Sequence, residues 1–191
     1  FPVIQPLSQL ESGCMTGKRP TSEILVDTLH KSEKIREEFS RPKVDWLFSP
    51  NYDHKDSEHT CSACDQTQLM SRSERETDDP YIHYGLIASG DRVMKDAKTR
   101  DSIARDLDIL CFEMEAAGLM DELPSLVIRG ICDYCDSHKN KQWQGYAALA
   151  AASYAKALLS VIPTFYRNES REPGKPVWMV PFRRNPRFAG R

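Results

Sequence analysis

Apolar and polar positions are distributed unevenly along the chain, and regular patterning is concentrated after residue 80. Residues 81–89 read as a strand, with Ile82, Leu86, Ile87 and Ala88 as apolar positions and Ser89-Gly90-Asp91 as the turn that ends it. Residues 96–107 read as a helix, residues 109–112 as a second strand, and residues 116–119 as a helix ended near Pro124. A third strand is expected over 126–132. Residues 144–161 carry seven alanines, a Leu-Leu pair and two tyrosines, which predicts a good helix former with an apolar face able to pack on a sheet. Strand and helix in alternation imply parallel pairing through right-handed crossovers, so the fold class expected is α/β, a mostly parallel sheet flanked by helices. Only three strands are visible, which is thin for a complete doubly wound sheet.

The first 80 residues pattern differently. Residues 1–20 hold three prolines, two glycines and little periodicity, and read as an irregular lead-in. Thr21 and Ser22 can cap a helix that has Glu23 in its positive first turn, a stripe of Leu25, Leu29, Ile35 and Phe39, and a stop at Pro42. Residues 44–48 suit a short strand or an apolar tuck. Residues 49–80 are polar and rich in Asp, Ser and Glu, an excursion that is mobile or held by something other than a core. After Pro163 the chain turns polar and proline-rich and ends in a basic tail, a linker composition. The expected organisation is therefore 1–80, 81–163 as the regular domain, and 164–191 as a linker toward a downstream domain. The absence of an initiating Met suggests a fragment or processed product.

Composition narrows the class. The 191 residues suffice for one domain of ordinary size, with 40% apolar and 28% charged residues. A net charge of −2 gives no electrostatic case for nucleic acid or an anionic membrane. No apolar run approaches the roughly 20 residues of a membrane span. Six scattered cysteines suit a reducing, cytoplasmic setting better than a disulfide framework.

Candidate chemistry lies in residues 109–136, where two apolar runs end in acids: Glu113 and Glu115, then Asp133 and Asp136. Strands of an open α/β sheet present their carboxyl ends to the ligand crevice. An ionised Glu there accepts hydrogen bonds from vicinal sugar hydroxyls, and a partly desolvated Asp can pass a proton to a leaving group. Together these jobs describe cleavage of a glycosidic bond to a heterocycle. The competing reading is structural, with Glu113 capping the next helix and Asp133 and Asp136 capping a turn.

Elsewhere, His59, Cys61 and Cys64, with His54 close by, have metal-ligand spacing. A second Cys-x-x-Cys half is absent, which leaves a zinc clip, reduced thiols or a disulfide open; Cys61 and Cys64 are weak metal candidates, and no metal is assigned. His83 reads as a satisfied core or edge histidine. His138, Lys139 and Lys141 read as a solvated turn or a loop over the site, and the pair Cys132 and Cys135 as buried thiols. Arg183, Arg184, Arg187 and Arg191 read as an anion patch or, better, a domain-joining linker.

Three stretches carry a family resemblance. Residues 112–120, Phe-Glu-Met-Glu-Ala-Ala-Gly-Leu-Met, resemble the Glu-Met-Glu signature of the nucleoside phosphorylase / methylthioadenosine nucleosidase superfamily. Residues 127–133, Val-Ile-Arg-Gly-Ile-Cys-Asp, are similar to its next strand, which commonly ends Ser-Asp, and residues 85–91 to its preceding strand and base-side turn. The match covers roughly residues 81–162, and its closest variety is the fungal phosphorylase-like domain that precedes NTPase and repeat modules in NOD-like receptors. His83-Tyr84-Gly85, Ile131 to Tyr134 and Ser137 to Asn140 resemble that subgroup, as do the 52–64 excursion and, toward an NTPase domain, 180–191.

The resemblance implies purine nucleoside cleavage, by phosphorolysis or hydrolysis, with no cofactor. Glu115 would hold the ribose hydroxyls, Met114 would pack on the sugar, and Asp133 would protonate the purine. Phe112 and backbone groups around Val93 would frame the base, with Glu113 in support. Partners implied are a purine nucleoside, phosphate if a phosphorylase, and further copies of the chain, since superfamily sites often borrow a neighbouring subunit's residue. The alternatives are a non-catalytic nucleoside-binding or interaction domain of a NOD-like receptor, or an inactive fragment. Cys132 stands where the superfamily commonly has Ser, removing a hydroxyl donor beside Asp133. Nothing before Pro80 resembles the superfamily's N-terminal strands or glycine-rich anion loop, so the expected domain lacks its N-terminal part.

Overall fold

The computed structural model describes residues 4–55, 60–120 and 125–163. Pro124, His59 and the 164–191 linker with its arginines therefore lie outside the described residues. The architecture is mixed: six α-helices and a small parallel sheet among the described residues.

The lead-in is helical, contrary to the irregular reading of residues 1–20. Helix α1 spans Ile4–Met15 and buries Leu10, with Leu7 packed on the same core. It stops because Gly17 takes a left-handed φ of 91°, which lets the Lys18 N–H reach back to the Gly13 carbonyl at 3.0 Å. Helix α2 (Pro20–Leu29) has proline at its start, where the missing N–H costs nothing, and Thr21 lies inside it rather than capping it. The single helix expected from Thr21 to Pro42 is two helices. Ser32 accepts from the Ile35 N–H at 3.2 Å and starts α3 (Glu33–Phe39), so the chain turns between Leu29 and Ile35.

Strand β1 covers Leu86–Ser89 only, shorter than the expected 81–89. His83 precedes it, exposed and tilted against the Tyr81 ring at 4.7 Å. Helix α4 (Ala97–Leu107) begins where Asp96 accepts from the Thr99 N–H at 2.6 Å and ends at Asp108, whose φ of 51° reverses the chain into β2 (Ile109–Glu113). The two strands pair in parallel, with Ser89 beside Glu113. Helix α5 (Ala117–Met120) follows at once.

The third expected strand, 126–132, is not a strand: the sheet has two strands among the described residues. This segment is instead held by helix α6 (Gln144–Val161), the longest element. Ile128 packs on the core of Leu10, Tyr154, Ala157 and Leu158. A Cβ on Gly130 would stand 1.9 Å from the Ala147 carbonyl oxygen, so only glycine permits that approach. On another side of α6, a Cβ on Gly145 would stand 2.3 Å from the Glu38 carbonyl oxygen of α3. Alanines keep the helix thin enough for such contacts, and Ala147 and Ala157 are buried. No described helix is long and apolar enough to cross a membrane.

Among its described residues, the 49–80 excursion has little regular structure beyond two short 3-10 turns, and it is pinned by side chains. Phe48, 1% exposed, stacks on His138 at 4.2 Å and bridges to Leu69. Replacing Gly130 by alanine is expected to cost about 1–3 kcal/mol, because the clash is with backbone rather than a movable side chain. Urea titration should show a lower midpoint with an unchanged slope.

Candidate functional site

The carboxyl end of β2 and the loop after residue 130 form the candidate site. Glu113 is 4% exposed, and its carboxylate accepts the main-chain N–H groups of Glu115 at 2.9 Å and Ala116 at 2.9 and 3.1 Å. Burial pushes this carboxyl up, but hydrogen bonds from the Ser89 hydroxyl and those amides, with the Arg129 charge, outweigh it and hold the group below its ordinary value. Ser89 also accepts the Ala117 N–H at 3.0 Å, so β1 and β2 jointly cap α5. The helix-cap reading of Glu113 is therefore its observed geometry.

Glu115 lies two residues on, exposed, and paired to Arg129 at 3.0 Å. Arg129 is a site residue that the carboxylate pattern did not single out. It ties the 126–132 segment to the end of β2, and its charge also acts on Cys111 and Cys132. Met114 is exposed, Phe112 is half-buried, and the Phe112 main chain hydrogen-bonds the Cys135 sulfur. Val93 is exposed in the connection between β1 and α4.

Asp133 is half-buried. One carboxylate oxygen accepts both the Cys135 N–H at 2.8 Å and the Lys139 ammonium at 2.7 Å, while the other faces the Cys132 thiol at 3.9 Å. The thiol is a weaker donor than the hydroxyl it replaces. Cys135 takes a left-handed φ of 53°, which turns the chain so that Asp136 can repeat the motif, accepting the His138 N–H at 2.9 Å. Asp133 and Asp136 thus both make the turn caps of the structural reading.

The solvated-turn reading of His138 and Lys139 is overturned. His138 is 7% exposed and packed between Phe48, Tyr52 and His54, and Lys139 is ion-paired with Asp133. Aromatic burial of this kind has no local sequence signature. Burial lowers the His138 imidazole below its ordinary value, partly offset by Asp136. Around it the excursion is stitched to the loop: the Ser137 hydroxyl accepts the His54 N–H at 3.0 Å, and Tyr134 donates to Asp45 at 2.7 Å while accepting from Arg72. Burial, then the Asp45 contact, pushes the Tyr134 hydroxyl up to about 12. Arg100 of α4 donates to the Tyr134 carbonyl at 2.6 Å, closing the loop from the other side.

All six cysteines are free. His54, Cys61 and Cys64 place one ligand atom each within 4.8 Å of one another. Burial, then the neighbouring Cys64, pushes the Cys61 thiol up to about 11.

Comparison with known proteins follows this geometry. The chain is 36% identical, over 190 residues and 99% of its length, to a nucleotide-binding leucine-rich repeat (NLR)-like protein of Hyaloscypha variabilis. It is 29% identical over 89 residues to a 5'-methylthioadenosine/S-adenosylhomocysteine nucleosidase of Mycobacterium bovis, 44% of the chain and 35% of that protein. Against the nucleosidase of the same name from Haemophilus ducreyi it is 28% identical over 106 residues, 51% of the chain and 46% of that protein. These partial likenesses support the resemblance to the nucleoside phosphorylase-like superfamily. The aligned region is 18% of the NLR-like relative, and the chain spans less than half the length of each of these relatives. No family model and no solved structure matches. The tie to NOD-like receptor proteins, expected from residues 52–64 and 131–140, is carried by the first relative.

The Glu113 cap has a pH signature. Its folded-state value lies below the ordinary 4.5, so its stabilisation is complete above that pH and is lost as pH falls through the folded value. Denaturant midpoints of the wild type and Glu113→Gln should differ at neutral pH and converge in acid. A gap independent of pH would mean that charge is not what the cap uses.

Proposed function

We propose that the chain supplies the sugar- and base-handling part of a site that cleaves the N-glycosidic bond of a purine nucleoside. The observation that carries this reading is that Glu115 and Asp133 are prepared differently, each by a basic residue. Glu115 is exposed and held by Arg129, and Asp133 is half-buried and held by Lys139. Glu115 accepts the ribose hydroxyls with Met114 against the sugar, while Phe112 and the backbone near Val93 frame the base and Glu113 fixes the turn that presents Glu115. As the bond to the base breaks, positive charge grows on the ribose, and the Glu115 carboxylate stabilises it. The bonding electrons move onto the purine, which takes a proton at a ring nitrogen through Asp133. The Lys139 ammonium, 2.7 Å from Asp133, is the adjacent proton store. The nucleosidase names of two relatives support the substrate class.

The attacking water or phosphate is to be held by groups beyond those described. Leu86 of β1 and Leu110 of β2 are exposed, consistent with a sheet that gains further strands in the whole protein.

A second reading has its own support. The likeness to an NLR-like protein extends over nearly the whole chain, and one Asp133 oxygen is already taken up by the Cys135 N–H and the Lys139 ammonium. In that reading the same groups bind a nucleoside without turnover, as the sensing end of a larger receptor.

Adenosine, inosine and methylthioadenosine, each with and without phosphate, separate these readings when free base and binding are followed together. Under the first, Asp133→Asn lowers base release about 10²–10⁴-fold with binding retained, and Glu115→Ala weakens binding with little change in stability because the side chain is exposed. Binding without release selects the second reading. Release unchanged in Asp133→Asn would remove the acid assignment, and no nucleoside binding at all would remove both.

A further inference from the structure

The excursion of residues 49–70 meets the 133–140 loop at a cluster that nucleoside chemistry does not use. We propose that His54, Cys61, Cys64 and His138 form a tetrahedral zinc site that clips the excursion onto the loop carrying Asp133 and Lys139. The first three are already assembled, with ligand atoms within 4.8 Å of one another. Bonds of about 2.0–2.3 Å to a tetrahedral zinc set donors about 3.3–3.8 Å apart, so closing on the metal needs a contraction of about 1 Å. The 3-10 turn Cys61–Ala63, closed by the Cys64 N–H on the Cys61 carbonyl at 3.2 Å, is what brings two sulfurs three positions apart to one side.

His138 supplies the fourth donor on independent grounds. Its side chain is 3% exposed, and its Nε2 is a buried nitrogen with no hydrogen-bond partner among the described residues. A buried polar atom left that way costs free energy unless something occupies it. Its ring lies edge-on to that of His54, one of the three assembled ligands, with centroids 5.4 Å apart. Its other nitrogen, Nδ1, faces the Asp136 carboxylate at 3.9 Å. That neighbour favours the proton on Nδ1 and leaves the Nε2 lone pair available, the carboxylate–histidine–metal arrangement. Phe48 and Tyr52 stack on the same imidazole and wall the position off from water.

The donor set selects the metal. Two thiolates and two imidazoles are soft and borderline ligands, unsuited to calcium or magnesium and matched to zinc. Two thiolates neutralise the ion's charge, so the centre can be buried without a further counter-ion. Four protein ligands leave no open position, which makes the site structural rather than catalytic.

The test uses the purified protein without chelators. Elemental analysis should find about one zinc per chain. Cobalt substitution should give thiolate-to-metal charge-transfer bands together with tetrahedral d–d bands. Cys61→Ser and Cys64→Ser should each weaken the charge-transfer band, and His138→Gln should change the d–d pattern while leaving the thiolate bands. Asp136→Asn, acting through His138, should weaken zinc about 10–100-fold without changing stoichiometry. Should a variant fail to fold, thiol alkylation of the wild type decides. Cys61 and Cys64 should be protected until a chelator is added, whereas half-buried Cys14, on α1, should react equally with and without it. Chelator-indifferent alkylation, a Cys61–Cys64 disulfide in freshly isolated protein, or a cobalt spectrum unmoved by His138→Gln would overturn the proposal.

Discussion

The position of the Arg129 segment rests on how closely backbone can approach helix α6. Leu10 of α1, Ile24 of α2 and Ile128 of the 126–132 segment all reach the same buried band of Tyr154, Ala157 and Leu158. Near the helix start, Gly130 and Gly145 bring two other backbones to van der Waals contact. Short-range attraction falls steeply with distance, so these small residues convert a polar-rich sequence into a packed core with few large side chains. The price is that the segment bearing Arg129 has one admissible position. Because Gly130 sits on Ala147, its neighbour Arg129 is delivered beside Glu115, and the link from packing to electrostatics is a single residue long.

The acids of the site are organised by a common device. Glu113, Asp133 and Asp136 each accept main-chain N–H groups from residues two or three positions on. Such charge-assisted bonds compensate desolvation without committing a second side chain. They also fix the orientation of each carboxylate within its own turn. Glu115 differs because its partner is a long, partly exposed side chain, so this ion pair is solvent-screened and weak.

The legible parts of the fold were those whose signals are local. Asp96 before an amphipathic run gave α4, the apolar run from Ile109 gave β2, and the alanine-rich period gave α6 within its observed bounds. Helix α1 is not legible because its prolines and glycines read as helix breakers and mask the Leu7 and Leu10 spacing and the Gly17 stop. The 126–132 segment has a strand's composition, but apolar composition reports burial, and α6 rather than a neighbouring strand does the burying. The carboxylates were legible as residues, and their cap geometry was one of the readings open. Arg129 and His138 were not legible in their roles, since nothing near them in sequence encodes Glu115, Phe48 or His54 as neighbours. The Cys-x-x-Cys spacing was visible, while the histidine beside it lies 74 positions further on from Cys64 to His138.

The seam between excursion and loop also bears on how the chain finds its fold. The bond from His54 to Ser137 spans 83 positions, that from Tyr134 to Asp45 spans 89, and Trp143 donates to the Val44 carbonyl across 99. Joining ends so distant costs about 4 kcal/mol of chain entropy before any contact returns it. Helices α1 to α3 and the β1–α4–β2 unit close through much shorter loops and gain structure first. The seam is the part of the fold that closes the longest loops.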